Sequence, residues 1–490
     1  MSDAKEASKE AGVYAYSRIA GSVFALLALA LGARLYNKAE FAYVSALLLL
    51  YESAVALGSL GLADAVFYYI GRSPERASHV VRQTSLLLLC VAVPVIAVVC
   101  GFGLRMSSDI PISSALPWLA LTILIELPTQ PAVNQLLAVR QARLASALYI
   151  TFAAFRPLAV LLPVLVGFSI AWMPVIMAIT AVTRLIAHTA IIRRVFPLTE
   201  PGWLDRATLR SILLFAFPAG VAVLGGKLNP QIDKYVVQWV RGNEDFVLYT
   251  AAAWELPLIT LIPYAIGAVM QARYVRLFAS GEREQLRQLW LQTVRKTALL
   301  VLPLSLMVIA LAREAVTLVA GARYADAAPL FQIFTLTMLQ RVTAYGPMLQ
   351  SIGETRSLLV TSSLMLATNL VLSYPFTIWF GFTGAAIATV CATIPPLVFT
   401  LWRISLGFGC SLRGVMPWGH YFATLTLSAV IALGVWLLRD VMPPSAGARL
   451  GIGAAIYMVT FFVAGRMLGL IGSDDADYLK RWLTLEMLRR

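Results

Sequence analysis

Charge is what this sequence has little of. Asp, Glu, Lys and Arg make up 13% of its 490 residues, about half the roughly 25% of an ordinary soluble chain. So few charges cannot solvate the surface of a soluble fold this long, which excludes a soluble enzyme and a soluble binding module alike. Histidine and cysteine are scarce too. The three histidines (His79, His188, His420) are scattered, and the four cysteines (Cys90, Cys100, Cys391, Cys410) lie in or beside apolar runs without metal-ligand spacing. No metal centre and no histidine-based catalytic site is expected, and the cysteines read as small packing residues. A phosphate-binding loop is missing as well. The nearest approach, Gly226-Lys227, is followed by Leu228 and has Val221 where the first glycine belongs, so ATP hydrolysis is not expected.

What is present is apolar sequence. Hydrophobic residues make up 59% of the chain, and they gather into fourteen runs near the length that crosses a bilayer as helix, the first at about 14–33 and the last at about 450–470. The fold expected is an all-α polytopic membrane protein with short linkers. Lys5 and Lys9 stand against Asp3, Glu6 and Glu10, a poor signal-peptide start, so the first helix reads as retained. The net charge of +14 calls for orientation rather than nucleic acid. Arg72, Arg76, Arg140, Arg143, Arg193, Arg194, Arg273, Arg276, Arg283, Arg287, Arg356 and Arg403 fall in one set of alternate loops. The other set holds only Arg34, Lys38, Arg105, Arg241, Arg313, Arg323, Arg439 and Arg449. Cytoplasmic loops attract the excess, which places both termini in the cytoplasm. Two stretches, 282–296 and 474–490 (the latter N-capped by Ser473), carry an apolar stripe and are expected to lie on the membrane surface.

The two halves resemble each other. Phe41-Ala-Tyr-Val-Ser45-Ala46 matches Phe246-Val-Leu-Tyr-Thr250-Ala251, and Pro74-Glu75-Arg76 matches Gly281-Glu282-Arg283. Gln141-Ala-Arg143 matches Glu354-Thr-Arg356, and Gly167-Phe168-Ser169 matches Gly381-Phe382-Thr383. Six spans per repeat is an even number, so both repeats enter from the same side and are related by an axis along the membrane normal. The division expected is 1–195 and 196–405 as two six-helix lobes, with 406–490 as two further helices and the tail. Two parallel bundles rocking about a central cavity form an alternating-access transporter.

At this point the chain resembles a known family. With this architecture, Gly321-Ala-Arg-Tyr324-Ala-Asp-Ala327-Ala328-Pro329, Gly381-Phe-Thr-Gly384-Ala385-Ala386-Ile-Ala388 and Asn229-Pro-Gln-Ile-Asp233-Lys234 look like the MOP flippase superfamily, and within it the Wzx-type polysaccharide flippases. The resemblance implies transport of undecaprenyl-diphosphate-linked oligosaccharide to the periplasmic leaflet by a functional monomer, with a polysaccharide polymerase and chain-length proteins as partners.

Charges inside the spans say where cargo would bind, because each costs a few kcal/mol or more unless it faces a cavity or a partner. They are Arg18, Glu52, Glu126, Arg156, Arg184, Lys227, Asp233, Lys234, Glu255 and Arg341. A diphosphate crossing a low-dielectric interior needs fixed cations, for which Arg offers a bidentate fork and Lys a point charge. Arg156 and Arg341 lead as phosphate contacts, with an ion pair to Glu52, Glu126 or Glu255 as the structural alternative. Arg18, Lys227 and Lys234 follow, and Arg184 is expected to snorkel to the cytoplasmic surface. Gly225, Gly226 and Pro230 predict a kink or broken turn in segment seven, suited to gating. No cofactor is expected. Glu52, Glu255 and Asp233 are candidates for coupling to a proton or sodium gradient. Three other readings stay open: a lipid II flippase, a multidrug cation antiporter, and a membrane glycosyltransferase or polymerase.

Overall fold

The computed structural model describes residues 2–59, 61–106, 109–197 and 205–472, all helix, turn or irregular backbone with no strand among them. The tail 474–490 with Ser473 lies outside the described residues. Ten helices among the described residues are long and apolar enough to cross a membrane. One of the ten, Thr355–Phe408, is 54 residues long, far beyond a single crossing of roughly 20. It turns at Gly381 (φ 66°, ψ −152°), where a Cβ on Gly384 would lie 1.9 Å from the Phe376 carbonyl oxygen.

Contacts divide the chain into two compact units, Met1–Val247 and Leu248–Arg490. The first holds α1 (Ser2–Leu35), α2 (Lys38–Ser59), α3 (Leu62–Arg72), α4 (Ala77–Gly103), α5 (Leu116–Glu126), α6 (Ala132–Ala138), α7 (Ala142–Val166), α8 (Met173–Val195) and α9 (Arg206–Arg241). The dividing point falls inside α10 (Asn243–Ala252). The second unit continues with α11 (Pro257–Ala279), α12 (Arg283–Ala310), α13 (Ala312–Ala320), α14 (Ala328–Leu336), α15 (Tyr345–Ser351), α16 (Thr355–Ala392), α17 (Ile394–Phe408), α18 (Trp418–Leu438) and α19 (Ala446–Met467). The sequence repeat divides at 195/196, whereas compactness groups α9 with the first unit, where it packs on α2, α3 and α4.

The repeat is visible in backbone turns within each unit. Arg140 (φ 59°) and Gly353 (φ 79°) hold the same left-handed position. Each is followed by the same closing bond, Gln141 N–H to Leu136 O and Glu354 N–H to Leu349 O, both 2.8 Å. In both units the fourth span of the repeat is interrupted, by a 3-10 turn at Leu127–Thr129 after α5 and by another at Thr337–Gln340 after α14. The second span is interrupted too, between α2 and α3, and between α10 and α11 across 253–256.

Two expectations are corrected here. Segment seven is one continuous helix, α9, running through Gly225, Gly226 and Pro230 without a broken turn. Glycine weakens a helix without forbidding it, and Pro230 removes only one ladder bond. The breaks fall instead in the second and fourth spans of each repeat. The stretch 282–296 is not a surface helix: it opens α12, and Leu286, Trp290 and Val294 are fully buried with Phe408 and Val415 in one core. The Trp290 indole N–H donates to Val415 O at 2.8 Å.

Candidate functional site

The first unit encloses a cavity of about 860 Å³, within the range of ligand cavities (about 300–1,000 Å³). Arg18 of α1, Arg156 of α7, Arg184 of α8 and Lys227 of α9 line it, together with Glu52 of α2 and Glu126 of α5. Five different spans between α1 and α8 thus contribute three cations and two carboxylates, and α9 adds the lysine as a fourth cation. Tyr51, Gln130, Asn134, Tyr149 and Gln231 supply hydroxyls and amides around the charges.

Neighbouring side chains hold the charges in place. Glu52 bridges two helices: one oxygen accepts from Arg156 Nη1 at 2.8 Å, the other from Gln231 Nε2 at 2.8 Å. Glu126 ends α5, where the span breaks. It faces Arg184 Nη1 at 3.5 Å, with Glu126 and Arg184 side chains 8% and 11% exposed, and it accepts the Tyr51 hydroxyl. Arg184 Nε also donates to Thr129 Oγ1 at 2.8 Å in the 3-10 turn, and its guanidinium lies 4.4 Å over the Phe152 ring. Arg184 therefore does not snorkel. A buried carboxylate at a helix break holds it in the cavity wall, because an unpaired charge there would cost more than extending the side chain gains.

Arg18 is bound differently. Among the described residues no carboxylate lies within ion-pairing distance of it, and its guanidinium stands 5.7 Å over the Tyr149 ring. The ring reaches there because α1 has Gly21, where a Cβ would sit 2.6 Å from Tyr149 Cε1. Lys227 Nζ donates to Ser59 Oγ at 3.3 Å. Further along α9, Asp233 is 2% exposed and accepts the Lys234 backbone N–H at 2.9 Å. Lys234 is not on the cavity wall. Gly225 is buried, while Gly226 and Pro230 are exposed.

The remaining candidates meet in the second unit. Arg341 Nη1 and Nη2 each donate to one oxygen of Glu255 at 2.8 Å. Both residues sit where helix is interrupted, Glu255 between α10 and α11 and Arg341 after the 3-10 turn. Irregular backbone at membrane depth needs partners for its polar groups, and here Tyr421 OH donates to Leu339 O at 3.0 Å and Tyr345 OH to Gln340 O at 2.9 Å. The ten intramembrane charges therefore form two separate groups, one in each unit. Gln231, Tyr51 and Tyr149 carry no charge and so gave no signal in the sequence. Arg184 gave one, which its nearness to the span end disguised.

Residues 7–272, more than half the chain and all of the cavity wall, match the family described as polysaccharide biosynthesis protein. No curated protein matches the sequence significantly. Among solved structures the chain is similar to the lipid II flippase MurJ in an inward closed conformation (13% identity, 93% of this chain and 99% of that one, TM-score 0.72). It is also similar to an inward-facing multidrug resistance MATE family transporter of the MOP superfamily (16%, 80% and 96%, TM-score 0.63). A third is a MOP superfamily transporter from Pyrococcus furiosus, described by the reverse polarity of its binding pocket (16%, 81% and 96%, TM-score 0.56). At these identities the structures speak for the fold. The chain is a multi-pass membrane protein that belongs to the polysaccharide biosynthesis protein family and has the fold of the MOP-superfamily transporters.

Proposed function

We propose that this chain is a flippase for undecaprenyl-diphosphate-linked oligosaccharides, moving repeat units from the cytoplasmic to the periplasmic leaflet of the bacterial inner membrane. The observation that carries the reading is the cavity of the family-matched half, whose wall holds four cations against two carboxylates. Arg18 presents to an anion a guanidinium without a carboxylate partner among the described residues, and Arg156 lines the same cavity with one carboxylate to exchange. The diphosphate binds to these groups, the amides and hydroxyls of the wall meet the sugars, and the polyprenyl tail stays in lipid. Exposure of the cavity to each side of the membrane in turn completes the transfer. Glu52, Asp233 and Glu255 are the candidates for coupling to a proton or sodium gradient; full gradient-dependent transport by Glu52→Gln and Glu255→Gln proteins would remove the first and last.

The test is binding of undecaprenyl diphosphate bearing a disaccharide to protein in nanodiscs. A charge-assisted hydrogen bond contributes about 1.5–3 kcal/mol, so Arg18→Gln with Arg156→Gln should weaken binding about 100-fold or more, and leave a neutral glycolipid unaffected. Equal affinities before and after would sink the proposal. The fold of the lipid II flippase over 93% of the chain favours a second reading, transport of the peptidoglycan precursor. Deletion in the native host decides: loss of a surface glycan with intact peptidoglycan supports the first reading, lysis supports the second. A cation antiporter would need the opposite charge balance in this wall.

A further inference from the structure

The two carboxylates of the cavity are the unexpected part of an anion site. They are not needed to bind a diphosphate, and they oppose it. Nor are they held by arginine alone. Gln231 keeps one oxygen of Glu52, and the Tyr51 hydroxyl holds Glu126, so both carboxylates stay in the wall when a phosphate takes up the guanidinium groups. With Arg18, Arg156, Arg184 and Lys227 they leave a wall of net charge +2. A diphosphate joined to lipid on one side and sugar on the other carries two ionised oxygens. The loaded wall is then neutral, and a third anion would enter next to two fixed negative charges, where desolvation makes each like-charge contact costly.

We propose, resting on the flippase reading above, that Glu52 and Glu126 limit the charge of the cargo: the cavity accepts a lipid diphosphate whose sugars are neutral and discriminates against sugars that carry carboxylates. These two residues determine specificity by repulsion, while the cations supply the affinity.

The experiment compares two probes on the full-length protein in nanodiscs, undecaprenyl diphosphate bearing a neutral disaccharide and the same lipid with a uronic acid as the second sugar. The wild-type protein should prefer the neutral probe about tenfold, the effect of one unfavourable charge contact of about 1.4 kcal/mol. Glu52→Gln, which keeps a hydrogen-bonding amide, should erase most of that preference by strengthening binding of the acidic probe. Gln130→Lys adds a cation to the same wall while leaving both carboxylates in the chain, and should shift the preference in the same direction, so a poorly folding Glu52→Gln protein does not shield the idea. A purely structural role for the carboxylates would weaken both probes alike and leave the ratio unchanged, which overturns the proposal. Equal binding of both probes by the wild type overturns it and leaves the flippase reading standing. Failure to bind either probe overturns both.

Discussion

Each unit joins a carboxylate of its second span to an arginine of a later one, Glu52 to Arg156 in the first and Glu255 to Arg341 in the second. The surroundings differ. Around Glu52 the pair extends into Gln231, and the neighbouring Tyr51, Glu126 and Arg184 form a second buried set on the same cavity wall. Glu255 and Arg341 form a two-bond fork between interrupted helices, with Glu255 half exposed. The two arginines hold different places in the repeat, Arg156 within α7 and Arg341 after the 3-10 turn that follows α14, and the two pairs have different surroundings. In the first unit charges are spent on a ligand-sized cavity, and in the second they tie together two stretches of irregular backbone.

The largest test of this contrast is steric. Gly61 (φ 69°) opens α3, and a Cβ there would lie 2.5 Å from Gly220 N and 2.6 Å from Ala216 O of α9. Gly281 (φ 77°) opens the turn before α12, with nothing within 4 Å. Left-handed backbone costs a non-glycine residue about 1–2 kcal/mol, and overpacking adds about 1–3 kcal/mol. Gly61→Ala should therefore destabilise by about 2–5 kcal/mol and Gly281→Ala by about 1–2 kcal/mol, read as thermal unfolding in detergent. Similar losses at the two positions would show that α9 is not packed closely on α3.

Next comes the electrostatic contrast. Removing one member of a buried ion pair costs about 3–5 kcal/mol because the partner is left uncompensated, whereas a solvent-exposed pair contributes about 1 kcal/mol or less. Arg184→Gln should thus destabilise by about 3 kcal/mol, and adding Glu126→Gln should recover much of it. Arg341→Gln should cost about 1 kcal/mol and reduce transport more than lipid binding. If Arg341→Gln proved the more damaging to stability, the second pair would be the structural keystone and the contrast would reverse.

The spans, their charges and the repeat could be read from the sequence because hydrophobic run length and charge in lipid are one-dimensional properties. Gln141 and Glu354 were matched as sequence before their turns were seen to coincide. Partners were not legible. Sequence leaves Arg156 and Arg341 open between phosphate contact and an ion pair; the structure pairs Arg156 with Glu52 and Arg341 with Glu255, and Arg156 lies on the cavity wall as well. The glycines of α9 misled because a Gly-Gly-x-x-x-Pro pattern lowers helix propensity without saying whether packing restores it. Packing on α2, α3 and α4 does so, while the interruption after α14 has no glycine or proline between Thr337 and Ala344 to announce it. Trp290 misled for a related reason: an amphipathic stripe reports that one face is buried, and protein and lipid bury it equally well.

The smallest effect concerns a loop of the second unit with no charged counterpart in the first. Glu354 follows Gly353 in the turn that the repeat shares, yet the equivalent Gln141 is neutral. Hydrogen bonds from Arg403, with help from the Ser357 hydroxyl, hold the Glu354 carboxyl below its usual range, against burial that pushes it up. A carboxyl lowered on folding adds stability that is complete above its unfolded value, near 4.3 for glutamate, and that is lost as pH falls through the lower folded value. Wild-type protein should therefore exceed Glu354→Gln in stability by about 1 kcal/mol or less at pH 7, with the gap closing below about pH 4.3. Gln141→Glu in the first unit should bring no such dependence, because it restores the carboxylate without supplying the arginine. A gap that persisted into acid would mean that Glu354 acts through its shape in the turn, and the second unit's loop would then be held as the first unit's is, by backbone alone.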